Sequence, residues 1–535
     1  MAFDGARNRL NSVIGHTARD ATRSGPARRH SERRRRSAHS CAMAAGRGGG
    51  GRGRGGGGGR GGRGRGSSGG GGFGGSGGGG GGRGGGRGAS REARKEGRRA
   101  AQAATVARKA AAEADHFWRL RAAAAAAPPP PTARASKHAE AELFGGMGSS
   151  GIRFSDYGSV PVERSGPGAQ DPPPLPEDAF QNAQTMVPAL LAANLARCGY
   201  STPTPIQRHA IPLGLAGQDL MCVAQTGSGK TCGFLLPSMS ALLTDARGTR
   251  PPVRADTPAS PRAVVMAPTR ELASQIHLES KRLGYVTSLR TCVVYGGADA
   301  RAQLAELARG VDVCVATPGR LIDFIDRRVI SLACSRVLVL DEADRMLDMG
   351  FEPQIRRIVN GRDMPAREAG RQTLMFSATF APEVQKLARD FLREYTYVVV
   401  GRVGSTVNAI TQRLMFCPAN DKRAKMQLLF EAMAAAPPPA RTLVFVQKKR
   451  TAAWVAKELS KVGVPAESIH GDRTQSQRES ALAAFKSGAR PVLVATDVAA
   501  RGIDVSGVAH VVNFDLPTAA GEPRELARAH ARTCA

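Results

Sequence analysis

The sequence predicts two α/β domains in tandem, each built on a parallel sheet, behind a disordered Gly/Arg-rich tail. From about residue 180, short β-branched runs such as AVVMA and VDVCVA alternate with helical stretches. This alternation predicts parallel strands joined by crossover helices. The pattern recurs after about residue 410 with TLVFVQ, PVLVATD and VAHVVNF. We therefore assign a tail to residues 1–140, a lead-in segment to 141–179, a first domain to 180–400, a linker to 401–409 and a second domain to 410–535.

The tail carries most of the net charge of +31. Residues 46–88 are Gly interrupted by Arg, and the chain entropy of Gly at this density resists ordering into a core. Arg on a flexible chain can pair with phosphates and stack on bases, so this RGG tract predicts RNA binding or condensate formation. The alternative is a passive linker. The Ala-rich residues 89–127 favour a helix, and the proline run from Pro128 stops it.

Other features of the sequence indicate in which cellular compartment the protein is expected. The nine cysteines form no CxxC pair, which disfavours a zinc site or a disulfide framework. No apolar run approaches the ~20 residues that span a bilayer, so no membrane partner is expected. The basic residues 33–36 (RRRR) are compatible with a nuclear address. We expect an intracellular protein, cytoplasmic, nuclear or both.

A phosphate-binding loop is predicted at residues 224–231 (AQTGSGKT), because the motif follows a predicted strand and opens a predicted helix. Gly227 and Gly229 let backbone N–H groups approach phosphates. Lys230 reaches the β- and γ-phosphates, and the Thr231 hydroxyl binds Mg²⁺. The predicted nucleotide contacts of this loop are Ala224, Gln225, Thr226, Gly227, Ser228, Gly229, Lys230 and Thr231.

An acidic motif, residues 341–344 (DEAD), comes directly after the apolar run RVLVL. Carboxylates at the carboxyl end of a parallel strand face the ligand crevice. Asp341 is predicted to hold Mg²⁺, and Glu342 to position and deprotonate the attacking water. With Lys230 these are the predicted catalytic residues. Either motif alone has an ordinary alternative, which is a chance match for the phosphate loop and a solvated acidic loop for residues 341–344.

The phosphate loop, the acidic motif and residues 377–379 (SAT) together resemble the DEAD-box RNA helicase family. This resemblance implies two RecA-like domains that close on ATP, Mg²⁺ and RNA. Ser377 and Thr379 resemble the motif that links the nucleotide state to unwinding. Residues 202–207 (TPTPIQ) resemble the Q motif, in which Gln207 reads adenine. Tyr200 stands where the family places an aromatic ring against the base, and Asp504 resembles the ribose contact.

Further motifs resemble the RNA contacts of the family. Residues 268–273 (PTRELA), 296–297 (GG) and 317–320 (TPGR) offer hydroxyl, N–H and guanidinium groups, which suit a sugar–phosphate strand. In the second domain, residues 470–478 and 495–504 continue the series. The RNA contacts implied by the resemblance are Thr269, Arg270, Gly297, Thr317, Arg320, Gln475, Arg478 and Thr496.

A narrower resemblance points to the Vasa/Belle branch of the family. It rests on the lead-in residues 142–157, on residues 345–355 (RMLDMGFEPQI) and on an insertion around 244–261. The resemblance fails after Pro517. The family continues with a His-Arg-x-Gly-Arg-x-Gly-Arg block that supplies an arginine finger, whereas residues 518–535 are TAAGEPRELARAHARTCA.

The change after Pro517 predicts an incomplete second domain and low ATPase activity. An arginine finger contributes about 10³–10⁵ in rate in related phosphoryl transfer. A gene-model error is the favoured explanation, and a true variant that hydrolyses poorly is the alternative. The predicted function is an ATP-dependent RNA helicase that unwinds short duplexes or remodels RNA–protein complexes. An ATP-binding RNA clamp or granule scaffold is the alternative, and a DNA helicase is a weaker one. Candidate partners are RNA and proteins of RNA granules, translation or RNA processing, and nothing indicates a homo-oligomer.

Overall fold

The computed structural model describes residues 86–127, 136–145, 160–225, 227–244, 250–297, 299–361, 363–401, 411–417, 421–436, 441–496, 505 and 507–516. Of these, the residues from Thr105 onward form one compact unit, and residues 86–104 belong to another. Most of the RGG tract, most of the predicted linker and residues 517–535 lie outside the described ranges. Within those ranges, no helix is long and apolar enough to cross a membrane.

The first domain is built on an eight-stranded sheet. Its strands are β1 (Val162–Ser165), β2 (Asp219–Val223), β3 (Ala263–Met266), β4 (Thr291–Val294), β5 (Val313–Ala316), β6 (Val337–Leu340), β7 (Gln372–Ser377) and β8 (Tyr395–Val400). Their order across the sheet is β1-β8-β2-β7-β6-β3-β5-β4. All neighbours are parallel except β1, which pairs antiparallel with β8. The carboxyl ends of β2, β7 and β6 therefore lie side by side.

The helices of this part of the chain are α1 (Gly86–Ala126), α2 (Lys137–Phe144), α3 (Ala189–Arg197), α4 (Pro205–Leu215), α5 (Lys230–Thr244), α6 (Arg270–Leu283), α7 (Ala300–Ala308), α8 (Pro318–Asp326), α9 (Ala343–Asp348), α10 (Glu352–Val359) and α11 (Pro382–Phe391). Short 3₁₀ turns form at Ala183–Thr185 and Arg367–Ala369. The central strands are buried on both faces. In β2, Leu220 and Cys222 join one core cluster while Met221 and Val223 join the other, because alternate side chains point to opposite faces.

The second domain is built on a four-stranded parallel sheet. Its strands are β9 (Arg441–Val446), β10 (Ala466–Ile469), β11 (Val492–Thr496) and β12 (Val508–Asn513), in the order β10-β11-β9-β12. Its helices are α12 (Lys422–Ala435), α13 (Lys449–Lys461) and α14 (Gln475–Lys486). β10 and β12 are the two edge strands of this sheet. Residues 411–417 form neither helix nor strand, and Leu414 and Phe416 are 95% and 90% exposed.

Three predictions differ from this fold. The first sheet is mixed and not purely parallel, because the lead-in segment contributes β1 as an antiparallel edge strand. The fold of the first domain also begins before residue 180, since Leu175 and Ala179 are buried in its core. Residues 86–126 are a helix where the tail was predicted to be disordered, although the Ala-rich pattern did favour a helix over 89–127. The two tandem α/β domains are confirmed.

Candidate active site

The predicted phosphate loop connects β2 to α5. Gly227 and Gly229 have φ of 83° and 85°, the left-handed region that favours glycine. A Cβ on Gly229 would come within 2.5 Å of the Gln207 amide nitrogen, so a side chain there would displace Gln207. Lys230 begins α5, is only 7% exposed, and donates from Nζ to the Ala224 carbonyl at 2.9 Å. A buried cation at a helix N-terminus fits an anionic triphosphate.

Gln207 and Thr204 hold this loop from the neighbouring helix α4. The Gln207 Oε1 accepts from the Thr204 N–H at 2.8 Å, and its Nε2 donates to the Gly229 carbonyl at 3.0 Å. The Thr204 hydroxyl donates to the Ser228 carbonyl at 2.7 Å. An amide oxygen has two lone pairs and an NH₂ has two hydrogens, so Gln207 keeps one of each for a base. Thr204 was not a predicted site residue. The signal for it was the capping box that it forms with Gln207.

Tyr200 is fixed by a residue that the sequence did not suggest. Its hydroxyl donates to the Glu279 Oε1 at 2.8 Å, and its ring meets Phe180 edge-on with 6.1 Å between centroids. Burial, aided by nearby acidic groups, raises the pKa of Tyr200 well above its ordinary value, so the phenol stays a donor. Glu279 lies on α6, whose N-terminus carries Thr269 and Arg270. This bond therefore joins the predicted adenine pocket to a helix of the predicted RNA surface.

Tyr200→Phe keeps the ring and removes the bond to Glu279. We expect ATP to bind roughly three- to tenfold more weakly, because a positioning hydrogen bond contributes about 1 kcal/mol. Glu279→Ala should cause a similar loss, and the double variant should add little to either. Titration with a fluorescent ATP analogue measures this, with Leu278→Ala, an exposed change on the same helix, as control. Additive losses would show that the two residues act separately.

Asp341 and Glu342 follow β6 and are 3% and 6% exposed. Glu342 has φ of 52° and ψ of 51°, a left-handed conformation that is strained for a residue with a Cβ. Its carboxylate accepts from the Arg345 guanidinium at 3.2 Å. Asp341 accepts from the Glu342 N–H at 2.9 Å. Burial raises the pKa of Asp341 to about 7, Glu342 adds to this rise, and Lys230 opposes it. A buried carboxylate of this kind fits a divalent cation, whose charge favours ionisation.

The raised pKa of Asp341 makes its ionisation oppose folding. Stability from the neutral carboxyl is fully present below its ordinary pKa of 3.8 and is lost as the pH rises to about 7. Asp341→Asn should therefore stabilise the ligand-free protein by about 2–4 kcal/mol near pH 8. Thermal unfolding measures this, with the exposed Asp178→Asn as control. The gain should shrink near pH 5.5. An equal gain at both pH values, or a loss near pH 8, would contradict the prediction.

The predicted coupling residues Ser377 and Thr379 lie at the end of β7, between the two motifs. The Ala224 N–H donates to the Ser377 carbonyl at 3.1 Å, which ties the phosphate loop to this strand. The Asp344 Oδ2 accepts from the N–H and the hydroxyl of Thr379, each at 3.0 Å, and from the Ala378 N–H at 3.2 Å. Asp344 was not a predicted site residue, although it is the last residue of the acidic motif. The nucleotide motifs and the coupling motif thus form one bonded group.

Four of the predicted RNA contacts meet where the two domains touch. The Arg270 guanidinium donates to the Gln475 Oε1 at 3.0 Å. Arg478 forms an ion pair with Glu271 at 2.7 Å, and these side chains are only 17% and 13% exposed. Gly297 has φ of 82°, and a Cβ there would collide with Arg270. Glu271, which the sequence analysis did not select, therefore joins the first domain to the second.

The other predicted RNA contacts occupy helix starts and a strand end. Thr269 caps α6 and accepts from the Leu272 N–H at 3.3 Å. Thr317 precedes α8, and Arg320 lies over the Phe324 ring, 5.2 Å from its centroid. Thr496 ends β11 and is buried. Thr226 and Asp504 lie outside the described residues.

Two family models match the chain over more than half of its length. Residues 204–387 match the DEAD/DEAH box helicase model, and residues 424–534 match the helicase conserved C-terminal domain model. This chain belongs to the DEAD-box helicase family. The first model contains the phosphate loop, the acidic motif and the coupling motif. The second contains Gln475, Arg478 and Thr496, and extends beyond Pro517.

Individual relatives agree with membership of the DEAD-box helicases. The DEAD-box ATP-dependent RNA helicase 52A of Oryza sativa subsp. japonica is 50% identical over 386 residues, which are 70% of this chain. The chain spans 63% of the length of that relative. Among solved structures, S. cerevisiae Dbp5 bound to RNA and ADP BeF3 superposes with a TM-score of 0.56 at 27% identity. That match covers 67% of this chain and 86% of Dbp5, so it includes both RecA-like domains.

Proposed function

We propose that this DEAD-box helicase binds Mg·ATP and RNA and uses ATP hydrolysis to unwind short RNA duplexes or to remodel RNA–protein complexes. The observation that carries the proposal is the position of three motifs at the adjacent ends of β2, β7 and β6. Lys230, Thr379 and Asp341 lie in these motifs, and hydrogen bonds link the motifs directly. Ligands of parallel α/β sheets bind at such carboxyl ends.

Each group at this edge has a proposed task. Lys230 and the loop N–H groups bind the phosphates, and Gln207 and Tyr200 bind adenine. Thr231 and Asp341 would hold Mg²⁺, which supplies neutralisation of phosphate charge. Glu342 takes the proton of the attacking water, and Arg345 orients its carboxylate. Thr226 and Asp504 complete the proposed nucleotide contacts.

The proposed RNA path crosses both domains. Thr269, Arg270, Gly297, Thr317 and Arg320 would contact the strand from the first domain, and Gln475, Arg478 and Thr496 from the second. These groups suit a sugar–phosphate backbone, so the sequence specificity should be weak. The RNA and ADP BeF3 in the Dbp5 structure support a shared nucleotide and RNA mode. The pair of Asp344 with Thr379 would transmit the nucleotide state to this path.

We also propose the narrower assignments that the sequence suggests. The sequence of residues 345–355 and the insertion around 244–261 favour the Vasa/Belle branch. The RGG tract and the basic residues 33–36 favour an intracellular protein of RNA granules, translation or RNA processing. The specific observation that favours the second candidate, an ATP-binding RNA clamp, is the sequence of residues 518–535, which lacks the arginine block.

RNA-stimulated ATP hydrolysis by the full chain tests the proposal. We expect slow hydrolysis, because residues 518–535 lack the arginine block. Single-stranded RNA should accelerate it and DNA of the same sequence should not, because RNA-specific contacts involve the 2′-hydroxyl. The same preparation is titrated with RNA in the presence of Mg·ATP. Tight, nucleotide-dependent RNA binding without accelerated hydrolysis would identify the clamp. Equal stimulation by DNA would contradict the RNA assignment, and failure to bind Mg·ATP would contradict both functions.

A further inference from the structure

The last turns of α1 are buried against the first domain. Phe117 is fully buried in the same core cluster as Met221 and Phe324. Trp118 and Leu120 are partly buried against that cluster. Together they insert an apolar face of α1 into the first domain.

Arg121 anchors the same face. It is 2% exposed, and its guanidinium donates to the carbonyls of Thr257 at 3.0 Å, Ala308 at 2.9 Å and Pro258 at 3.3 Å. Ala308 is the last residue of α7, where carbonyls lack helical partners and the helix dipole is negative. Thr257 and Pro258 belong to the insertion around 244–261. The insertion and the end of α7 thus supply three carbonyl acceptors for one guanidinium.

Glu113 adds an ion pair about two turns before Arg121. Its carboxylate lies 2.5 Å from the Arg327 guanidinium, and the two side chains are 13% and 17% exposed. Glu113, Phe117 and Arg121 are spaced by four residues, so they lie on one face of α1. Arg119 and Asp115 are exposed on the other faces.

The surface that receives this face lies at the amino ends of the strands. Thr257 and Pro258 precede β3, and Ala308 precedes β5. The nucleotide motifs follow the carboxyl ends of β2 and β6, at the opposite edge of the sheet. Contact with α1 therefore leaves the proposed active site accessible.

We propose that residues 113–121 are an intramolecular docking segment, whose partner is the surface formed by the insertion, the end of α7 and Arg327. The docking segment fastens the chain that follows the RGG tract to the first domain. This inference is independent of the proposed catalytic activity.

Hydrogen exchange of the full chain, followed by mass spectrometry, tests the docking segment. Arg121→Ala and Arg119→Ala are the same chemical change two residues apart on one helix, so they alter helix propensity alike. We expect amides of the docking segment to exchange about tenfold faster or more in Arg121→Ala, because local opening becomes easier. Arg119→Ala should match the unchanged protein. Equal exchange in the two variants would overturn the proposal.

Peptides from β6 show whether the effect is local. If Arg121→Ala also accelerates exchange in β6, a milder pair of variants decides: Glu113→Gln removes one side of the ion pair, and Asp115→Asn is its exposed control. Faster exchange of the docking segment in Glu113→Gln alone supports docking. Indistinguishable exchange in Glu113→Gln and Asp115→Asn overturns it.

Discussion

Glu342→Gln is expected to reduce RNA-stimulated ATP hydrolysis by about 10²–10⁴-fold while ATP and RNA binding persist, since a general base contributes that much. Glutamine has nearly the same shape as glutamate, and its amide oxygen can still accept from Arg345. It cannot, however, take a proton from water near neutral pH. The left-handed backbone at residue 342 is retained, because both side chains begin with the same Cβ and Cγ.

Single-turnover hydrolysis with enzyme in excess measures this loss and resolves slow rates. The control is Glu383→Gln, the same exchange at an exposed position in the first turn of α11. Parallel titrations follow ATP and RNA binding. Unchanged hydrolysis in Glu342→Gln would remove Glu342 from the chemistry. Loss of ATP binding in step with hydrolysis would assign it to binding instead.

Lys230→Ala should abolish tight binding of Mg·ATP, with an affinity loss of about 100-fold, because charge-assisted hydrogen bonds to phosphate contribute about 1.5–3 kcal/mol each. A second effect acts in the same direction. Lys230 lowers the pKa of Asp341, so its removal raises that pKa further and disfavours the ionised carboxylate that a divalent cation needs.

Titration with a fluorescent ATP analogue, with and without Mg²⁺, measures both effects. The control is Lys386→Ala, which also removes one positive charge but at an exposed position away from the loop. Lys230→Arg retains the charge but replaces a compact ammonium with a planar fork, so it should recover only part of the affinity. Normal Mg·ATP affinity in Lys230→Ala would refute the proposed nucleotide site.

The motifs with fixed internal spacing were predictable because their function depends on local backbone geometry. The phosphate loop needs left-handed glycines before a helix, and the acidic motif needs a strand end. Glu279 and Glu271 carry no such pattern. Their partners, Tyr200 and Arg478, are distant in sequence, and only the packing of α6 brings them together. Asp344 lay inside a recognised motif, yet its contact with Thr379 depends on the adjacency of β6 and β7.

The differences in the fold have similar causes. β1 is short, with alternating intermediate and exposed residues, and its pairing with β8 is set by tertiary contacts. In α1, the apolar residues Phe117, Trp118 and Leu120 form one short cluster in a helix otherwise made mostly of alanines and charged residues. The alanines favour a helix, but so few large apolar side chains do not form the periodic stripe that would predict a buried face. Arg121 can be buried because its guanidinium donates to carbonyl groups that are more than 130 residues away in sequence, so no local pattern indicates its burial.

The ion pair of Arg478 with Glu271 bears on how RNA binding should respond to ionic strength. An arginine that must leave a protein carboxylate to bind an RNA phosphate causes a smaller net release of counterions than an unpaired arginine does. An incoming strand would have to compete with Glu271 for this guanidinium. The salt dependence of RNA affinity for the two RecA-like domains should then be shallower than a count of their arginines suggests, by about 0.7 of a unit of log–log slope for each arginine so engaged.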